Sequence, residues 1–151
     1  MSEKTVNLDS FYMAGIEVRT INSAGQAMLD IGELWGKFMG NNLAAEIPHK
    51  TSEDVYSVYT DYESDHTGFY TVVLGCKVST IEGLTGGFAG VKIPAAKYRI
   101  YEPAGELPDS VVDAWDEIWD TAAERTFTSD FECYHTDENG ATSVEIFVAV
   151  K

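Results

Sequence analysis

Basic side chains are scarce in this chain of 151 residues. Lys and Arg together number 10, against 25 Asp and Glu, which leaves a formal net charge of −15. A surface of that sign repels the phosphates of DNA and RNA. No helix-turn-helix pattern or basic arm accompanies it. We therefore expect no direct binding to nucleic acid.

Long hydrophobic runs and cysteines are also few. No apolar run approaches the roughly 20 residues that a membrane-spanning helix needs, and the first ten residues, MSEKTVNLDS, lack the apolar core of a signal peptide. The two cysteines, Cys76 and Cys133, both fall in predicted strands, where a buried free thiol is ordinary. These features predict a reduced, cytoplasmic protein without membrane contact.

Residues with metal-binding, cofactor-binding or catalytic spacing are missing as well. The three histidines, His49, His66 and His135, lie in separate segments without a Cys or His at ligand spacing, so no metal site is predicted. The glycine-rich segment 82–90 matches neither a Walker pattern nor a dinucleotide-binding pattern, so no cofactor is predicted. No nucleophile elbow or Cys–His arrangement is present, so no catalytic residue is assigned.

The chain does contain a repeated apolar stripe, at a spacing of 84 positions. Each copy follows the i, i+3, i+4, i+7 pattern of an amphipathic helix. The paired positions are Ala27, Met28, Ile31, Leu34, Trp35 and Phe38, then Val111, Val112, Trp115, Ile118, Trp119 and Ala122. We predict two helices, and expect the equivalent Trp35 and Trp119 to pack between helix and sheet.

Strand-like segments surround both helices. β-branched and aromatic residues predict strands over 11–20, 55–62, 69–78, 93–102, 130–135 and 142–150. The order is β-α-β-β, twice. The predicted fold is α+β, with tandem β-α-β-β repeats related by a pseudo-two-fold axis and an antiparallel sheet carrying two long helices. Residues 1–151 form one domain in this interpretation, with repeats at about 9–80 and 91–151 and a glycine-rich crossover at 82–90.

A single carboxylate interrupts the last predicted strand. Residues 144–150 read VEIFVAV, in which one alternating face holds only Val and Ile and is predicted to contact the helices. The other face holds Glu145 and Phe147. A buried carboxylate is costly unless it is paired or partly hydrated. Glu145 is therefore either a binding group for a cation, or an ordinary surface residue, alone or paired with Lys97 or Arg99.

Aromatic residues are plentiful and supply the other half of a cation site. Eight Tyr, seven Phe and three Trp are present, several of them beside the predicted strands. Ring faces attract organic cations, and a carboxylate provides the counter-charge. The alternative for each ring is core packing. The candidate ligand-binding residues are Glu145, Phe147, Tyr59, Tyr98, Tyr134 and Tyr12.

Four segments carry a resemblance to a known family. They are AGIEVRT (14–20), YSVYTDYESD (56–65), IPAAKYRIYEPAG (93–105) and DFECYHTDENGATSVEIFVAVK (130–151). The chain resembles the GyrI-like effector-binding domains of AraC-type and multidrug-responsive transcription activators, with the Rob/BmrR-type fold. It is most similar to the stand-alone, integron-cassette-associated type, which lacks a DNA-binding domain.

The resemblance implies a ligand cleft between the two repeats and a small-molecule ligand, a lipophilic organic cation. It implies that Glu145 on the final strand pairs with that cation, and it carries over the FE-x-Y pattern as Glu132 and Tyr134. Two alternatives remain open: a GyrI-like hydrolase acting on electrophilic small molecules, and an acidic protein-interaction module such as a gyrase inhibitor. The implied protein partner is a transcription regulator or gyrase, and a monomer and a dimer are both compatible with the sequence.

Overall fold

The computed structural model describes residues 3–65, 67–84, 86–103, 105–107, 109–121 and 124–151. His66 and the second stripe's Ala122 lie outside them. Two 3-10 turns, Ser23–Gly25 and Leu43–Glu46, flank the first helix. The elements are β1 (Glu3–Leu8), β2 (Phe11–Ile21), α1 (Gln26–Gly40), β3 (Val55–Thr60), β4 (Phe69–Val78), β5 (Ala89–Ile93), β6 (Ala96–Tyr101), α2 (Asp109–Thr121), β7 (Ser129–Thr136) and β8 (Thr142–Val150).

The strands form one antiparallel sheet whose order shows the internal symmetry. That order is β1-β6-β8-β7-β3-β4-β2-β5, eight strands in the described part of the chain. The counterpart of each strand in the first repeat is the strand numbered four higher, so β1 corresponds to β5 and β2 to β6. If all counterparts are exchanged and the order is read backwards, the same order results. The central pair, β3 with β7, joins the two repeats. The predicted α+β fold, with a two-helix antiparallel sheet, is confirmed.

Two edge strands were not predicted. β1 pairs with β6 of the second repeat, and β5 pairs with β2 of the first. The predicted strand 93–102 is divided at Pro94, which has no N–H to donate to a ladder, so β5 ends at Ile93 and begins inside the predicted crossover. β1 and β5 thus each pair with a strand of the other repeat. The residue pattern within a single segment does not reveal such a long-range pairing.

Both helices pack on the same face of the sheet. The α1 residues Ala27, Leu34 and Phe38 form a cluster with buried residues of β2 and β4. The α2 residues Val111, Ala114 and Ile118 form a second cluster with Val144, Ile146 and Val148 of β8. The predicted helix-facing side of the last strand is therefore confirmed. In the described part of the chain, no helix combines the length and apolarity needed to cross a membrane.

The opposite face of the sheet is also apolar, and curvature of the sheet covers part of it. Met13, Val58, Phe131 and Ala149 are buried there, and the cluster that they form contains no residue of α1 or α2. Phe11 of β2 contacts Phe131 of β7 with 5.4 Å between ring centroids, although two strands separate β2 from β7 in the sheet. The sheet therefore curves so that β2 approaches β7 on this face.

Candidate functional site

A cavity of about 430 Å³ lies between the two helices, above the centre of the sheet. We call it the interhelical cavity. Its walls are residues of α1 and α2, and its floor consists of residues of β3, β4 and β7 with the residues that follow β3. Seven of the lining residues are aromatic: Trp35, Tyr59, Tyr62, Tyr70, Trp115, Trp119 and Tyr134. The others include Met28, Ile31 and Gly32 from α1, Val112 from α2, and the charged Asp109, Arg125 and Glu132.

Glu132 lies at the floor of the interhelical cavity and is only 2% exposed. Tyr59 donates its hydroxyl to Oε2 at 2.7 Å, and Trp115 donates Nε1–H to the same oxygen at 2.6 Å. Tyr134 donates its hydroxyl to Oε1 at 2.5 Å. Hydrogen bonds to an ionised acceptor are stronger than those between neutral groups. Three donors therefore stabilise a carboxylate that otherwise lies among rings.

Burial and charge act together on the titration of this cluster. Burial raises the pKa of the Glu132 carboxyl above its usual value, and its three hydrogen bonds oppose that rise. Burial, followed by the nearby Glu132 charge, raises the pKa of Tyr59 and of Tyr134. Both phenols therefore stay protonated at neutral pH and remain hydrogen-bond donors.

All three tryptophans line the interhelical cavity. Trp35 and Trp119 are half-buried and line the interhelical cavity. Trp35 also packs against the buried cluster between α1 and the sheet, as expected, whereas Trp119 is not among the residues of the described clusters. Trp35 contacts Tyr134 edge to face at 4.9 Å, and Trp115 contacts Tyr59 in the same way at 5.5 Å. A gap remains between the two helices above the sheet. The residues of each stripe that face the other helix therefore line this gap.

An ion pair closes one end of the site. Nη2 of Arg125 lies 2.8 Å from Oδ2 of Asp130, with the two side chains 3% and 0% exposed. Tyr62 donates to Oδ2 of Asp130 at 2.6 Å, and the Ala149 N–H donates to Oδ1 at 2.8 Å. Phe127 packs against the guanidinium at 4.3 Å. Asp130 thus ties the Arg125–Phe127 segment to the end of β8.

The structure brings together two of the six predicted ligand-binding residues, Tyr59 and Tyr134. Tyr12 packs against the apolar cluster beneath α1, with the Lys92 amine 6.0 Å from its ring centre. Tyr98 is fully buried in the cluster on the opposite face of the sheet. Neither Tyr12 nor Tyr98 is among the residues that line the interhelical cavity.

Glu145 and Phe147 lie on the face of the sheet away from the helices. Glu145 is paired in register with Cys133, so it lies on the face opposite Glu132. Phe147 stacks on Phe131 at 4.5 Å and borders a second hollow of about 410 Å³. A ligand role for Glu145 stays a prediction, whereas the buried carboxylate at the floor of the interhelical cavity is Glu132.

Sequence reasoning found Glu132 only through the FE-x-Y resemblance. A signal was available in β7, where Asp130, Glu132 and Tyr134 alternate with Phe131 and Cys133. Two acids on one face of a strand that lies at the centre of the sheet must be hydrogen-bonded, because buried carboxylates need partners. No such signal singled out Tyr62, Tyr70 or the tryptophans, because aromatic side chains pack in protein cores as readily as they line binding sites.

Comparison with known proteins decides the family. A model of the integron-associated effector-binding proteins matches residues 4–150. The chain belongs to this family. Among relatives of this integron-associated effector-binding protein, YobU of Bacillus subtilis is 30% identical over 154 residues, with 96% of this chain and 95% of YobU covered.

Solved structures agree with this membership. An integron cassette protein from the mobile metagenome of Vibrio cholerae is 32% identical with a TM-score of 0.77, and the match covers 99% of this chain and 95% of the other. The structure of SAV2435 bound to tetraphenylphosphonium has a TM-score of 0.81 at 19% identity, covering 100% and 94%. At that identity, SAV2435 shows the shared fold alone.

Proposed function

We propose that this effector-binding protein binds lipophilic organic cations in the interhelical cavity, with Glu132 as the counter-charge. One observation carries the proposal: a carboxylate that is 2% exposed lies at the floor of a cavity walled by aromatic rings. Ring faces attract a cation most strongly where water is excluded, and the same exclusion strengthens the pairing with a carboxylate.

Two further features support the proposal. The net charge of −15 raises the local concentration of cations around the protein. SAV2435, which shares the fold, is bound to tetraphenylphosphonium in its structure, and that ligand is a lipophilic cation. The two carboxylates Glu132 and Glu145 lie on opposite faces of the sheet, so the binding site can be assigned by experiment.

The test compares methyltriphenylphosphonium with neutral triphenylphosphine oxide by calorimetry. The wild-type protein is expected to bind the cation at least about 10-fold more tightly, because only the cation gains from the carboxylate. Glu132→Gln is expected to weaken cation binding by roughly 10- to 100-fold, about 1.4 to 2.8 kcal/mol. Its affinity for the oxide should stay unchanged, as should cation binding by the control variant Glu145→Gln.

Melting curves of both variants show whether each remains folded. Loss of cation binding in Glu145→Gln, with normal binding in Glu132→Gln, would move the site to the other face of the sheet. Equal affinities for the cation and the oxide would reject charge recognition altogether. Mass spectrometry of the recovered ligands shows whether they leave unchanged, which separates binding from hydrolysis.

Gly32 offers a separate test of where the ligand sits. It lines the interhelical cavity, and a Cβ built there meets no heavy atom within 4 Å. Gly32→Leu is expected to fill part of the cavity and to weaken the binding of tetraphenylphosphonium at least about 10-fold. Even a change of one methylene group in an apolar pocket alters affinity measurably. Binding of the much smaller tetramethylammonium should change little.

Gly36→Leu is the matched control for Gly32→Leu. Gly36 lies one turn further along α1, also has open space at its Cβ, and does not line the cavity. Both changes raise helix propensity equally, so stability effects cancel in the comparison. Equal loss of tetraphenylphosphonium binding in the two variants would show that the ligand does not contact this wall.

A further inference from the structure

The carboxylate of Glu132 lies between two pairs of aromatic side chains in the interhelical cavity. We infer that the cavity favours cations whose charge lies at the centre of the molecule, with an aromatic group on each side, over isomeric cations whose charge lies at one end. The inference rests on the proposed function and narrows its ligand class by shape.

The strand register fixes the position of Glu132 relative to its two tyrosine donors. Glu132 of β7 is paired with Ser57 of β3, and the two strands run antiparallel. Tyr134 lies two residues after Glu132, and Tyr59 lies two residues after Ser57. The tyrosines are therefore displaced from the Ser57–Glu132 pair in opposite directions, and at about 3.4 Å per residue their backbones lie about 14 Å apart along the strands. Since both hydroxyls bond to Glu132, the two rings approach the carboxylate from opposite sides.

Each of these tyrosines contacts a tryptophan from a different helix. Trp35 of α1 packs edge to face on Tyr134, and Trp115 of α2 packs edge to face on Tyr59. We call Trp35 with Tyr134 the α1 pair, and Trp115 with Tyr59 the α2 pair. All four side chains line the interhelical cavity. The cavity therefore has one aromatic pair on each side of Glu132.

The buried negative charge is confined to the point between the two pairs. Ser57, which lies opposite Glu132 in the register, is fully buried and uncharged. Arg125 lines the cavity but is paired with Asp130. The other lining acid, Asp109, is exposed at the start of α2. Among the described lining residues, Glu132 is thus the only buried carboxylate.

A cation with a central charge can place one aromatic group against each pair while its charge stays beside Glu132. A cation with a terminal charge, held at the same carboxylate, directs its aromatic groups to one side. The aromatic pair on the other side of Glu132 then has no aromatic group of the ligand to contact. Contacts between rings contribute to the free energy of binding beyond the area that they bury. The central-charge isomer therefore gains one aromatic contact more than the terminal-charge isomer.

The test compares dibenzyldimethylammonium with (biphenyl-4-ylmethyl)trimethylammonium by calorimetry. These cations share one molecular formula, carry the same charge, have two phenyl rings each and contain no N–H group. Only the position of the charge relative to the rings differs. The wild-type protein is expected to bind the dibenzyl cation at least about 5-fold more tightly, which corresponds to about 1 kcal/mol and to one additional aromatic contact.

Trp35→Leu removes the indole of the α1 pair. It is expected to weaken the dibenzyl cation roughly 5-fold, because one of its two benzyl groups loses its partner ring. The biphenyl cation can lie against the α2 pair, so its affinity should change little. The ratio between the two affinities should therefore fall toward one.

Trp119→Leu tests the other side of the cavity. Trp119 lines the cavity from α2 and is the counterpart of Trp35 in the repeated stripe. Trp115 is left unchanged, because its indole N–H donates to Glu132. The same fall in the ratio is expected. Phe69→Leu is the control, since Phe69 is 44% exposed and does not line the cavity, and it should keep the wild-type ratio.

Equal affinities of the two isomers for the wild-type protein, or tighter binding of the biphenyl cation, would overturn the inference, and this comparison needs no variant. A wild-type ratio in either tryptophan variant, with folding checked by its melting curve, would overturn it as well. If neither isomer binds the wild-type protein, the proposed function fails and takes this inference with it. Equal binding of both isomers leaves cation binding intact and rejects only the preference for a central charge.

Discussion

Replacing Arg125 with methionine is expected to lower the free energy of unfolding by about 3–5 kcal/mol, because that is the usual cost of removing one partner of a buried ion pair. Asp130 has no exposed side-chain area, and Arg125 is its only cationic partner among the described residues. Without it, a full negative charge stays buried with two neutral donors, Tyr62 and the Ala149 N–H. Urea unfolding measures the loss.

Arg99→Met is the matched control for Arg125→Met. Arg99 pairs with Glu124 at 3.7 Å, and the two side chains are 26% and 62% exposed. Exposed pairs contribute about 0–1 kcal/mol, so this variant should remain close to wild type. Similar stability of the two variants would mean that Tyr62 and the Ala149 N–H already satisfy Asp130 without the guanidinium.

Gly75→Ala is expected to destabilise the fold by at least about 3 kcal/mol, the upper end of typical overpacking costs. Gly75 of β4 lies opposite Gly15 of β2 in the register. A Cβ added at Gly75 would lie 1.9 Å from the carbonyl oxygen of Ala14, and this oxygen belongs to the backbone, so it cannot rotate away. Thermal unfolding measures the effect.

The same substitution at Gly36 is expected to have the opposite sign. Gly36 lies inside α1 with open space around its Cβ, so alanine should stabilise the protein by about 0.5–1 kcal/mol through higher helix propensity. The contrast isolates the close strand approach as the cause. Tolerance of alanine at Gly75 would show that β2 and β4 can separate there without loss of the sheet.

Much of the fold could be predicted from the residues because strands and helices have different periods. The helices near Trp35 and Trp119, and the central strands on either side, follow patterns that only one kind of element satisfies. β1 and β5 were not predicted because the strands with which they pair lie in the other repeat. An edge strand depends on the strand beside it more than on its own pattern.

The candidate site could be predicted only in part. Alternation shows which residues of one strand share a face, but it does not show the register of that strand with its neighbour. Glu145 was recognised as a carboxylate in an apolar strand, and Glu132 was carried over from the FE-x-Y resemblance. The register Cys133 with Glu145 places them on opposite faces. The helices leave a cavity above the Glu132 face, and the gap between two helices is not encoded in either stripe.

The sequence by itself determined the β-α-β-β order, the helix-facing sides of the strands and the acidic character of the surface, because these follow from local periodicity and from composition. Only the tertiary structure decided that Trp35 and Trp119 border a cavity, and that Glu132 lies at its floor with three donors. The physical reason is distance along the chain. Tyr59, Trp115 and Glu132 meet through long-range packing, which depends on register and helix placement together.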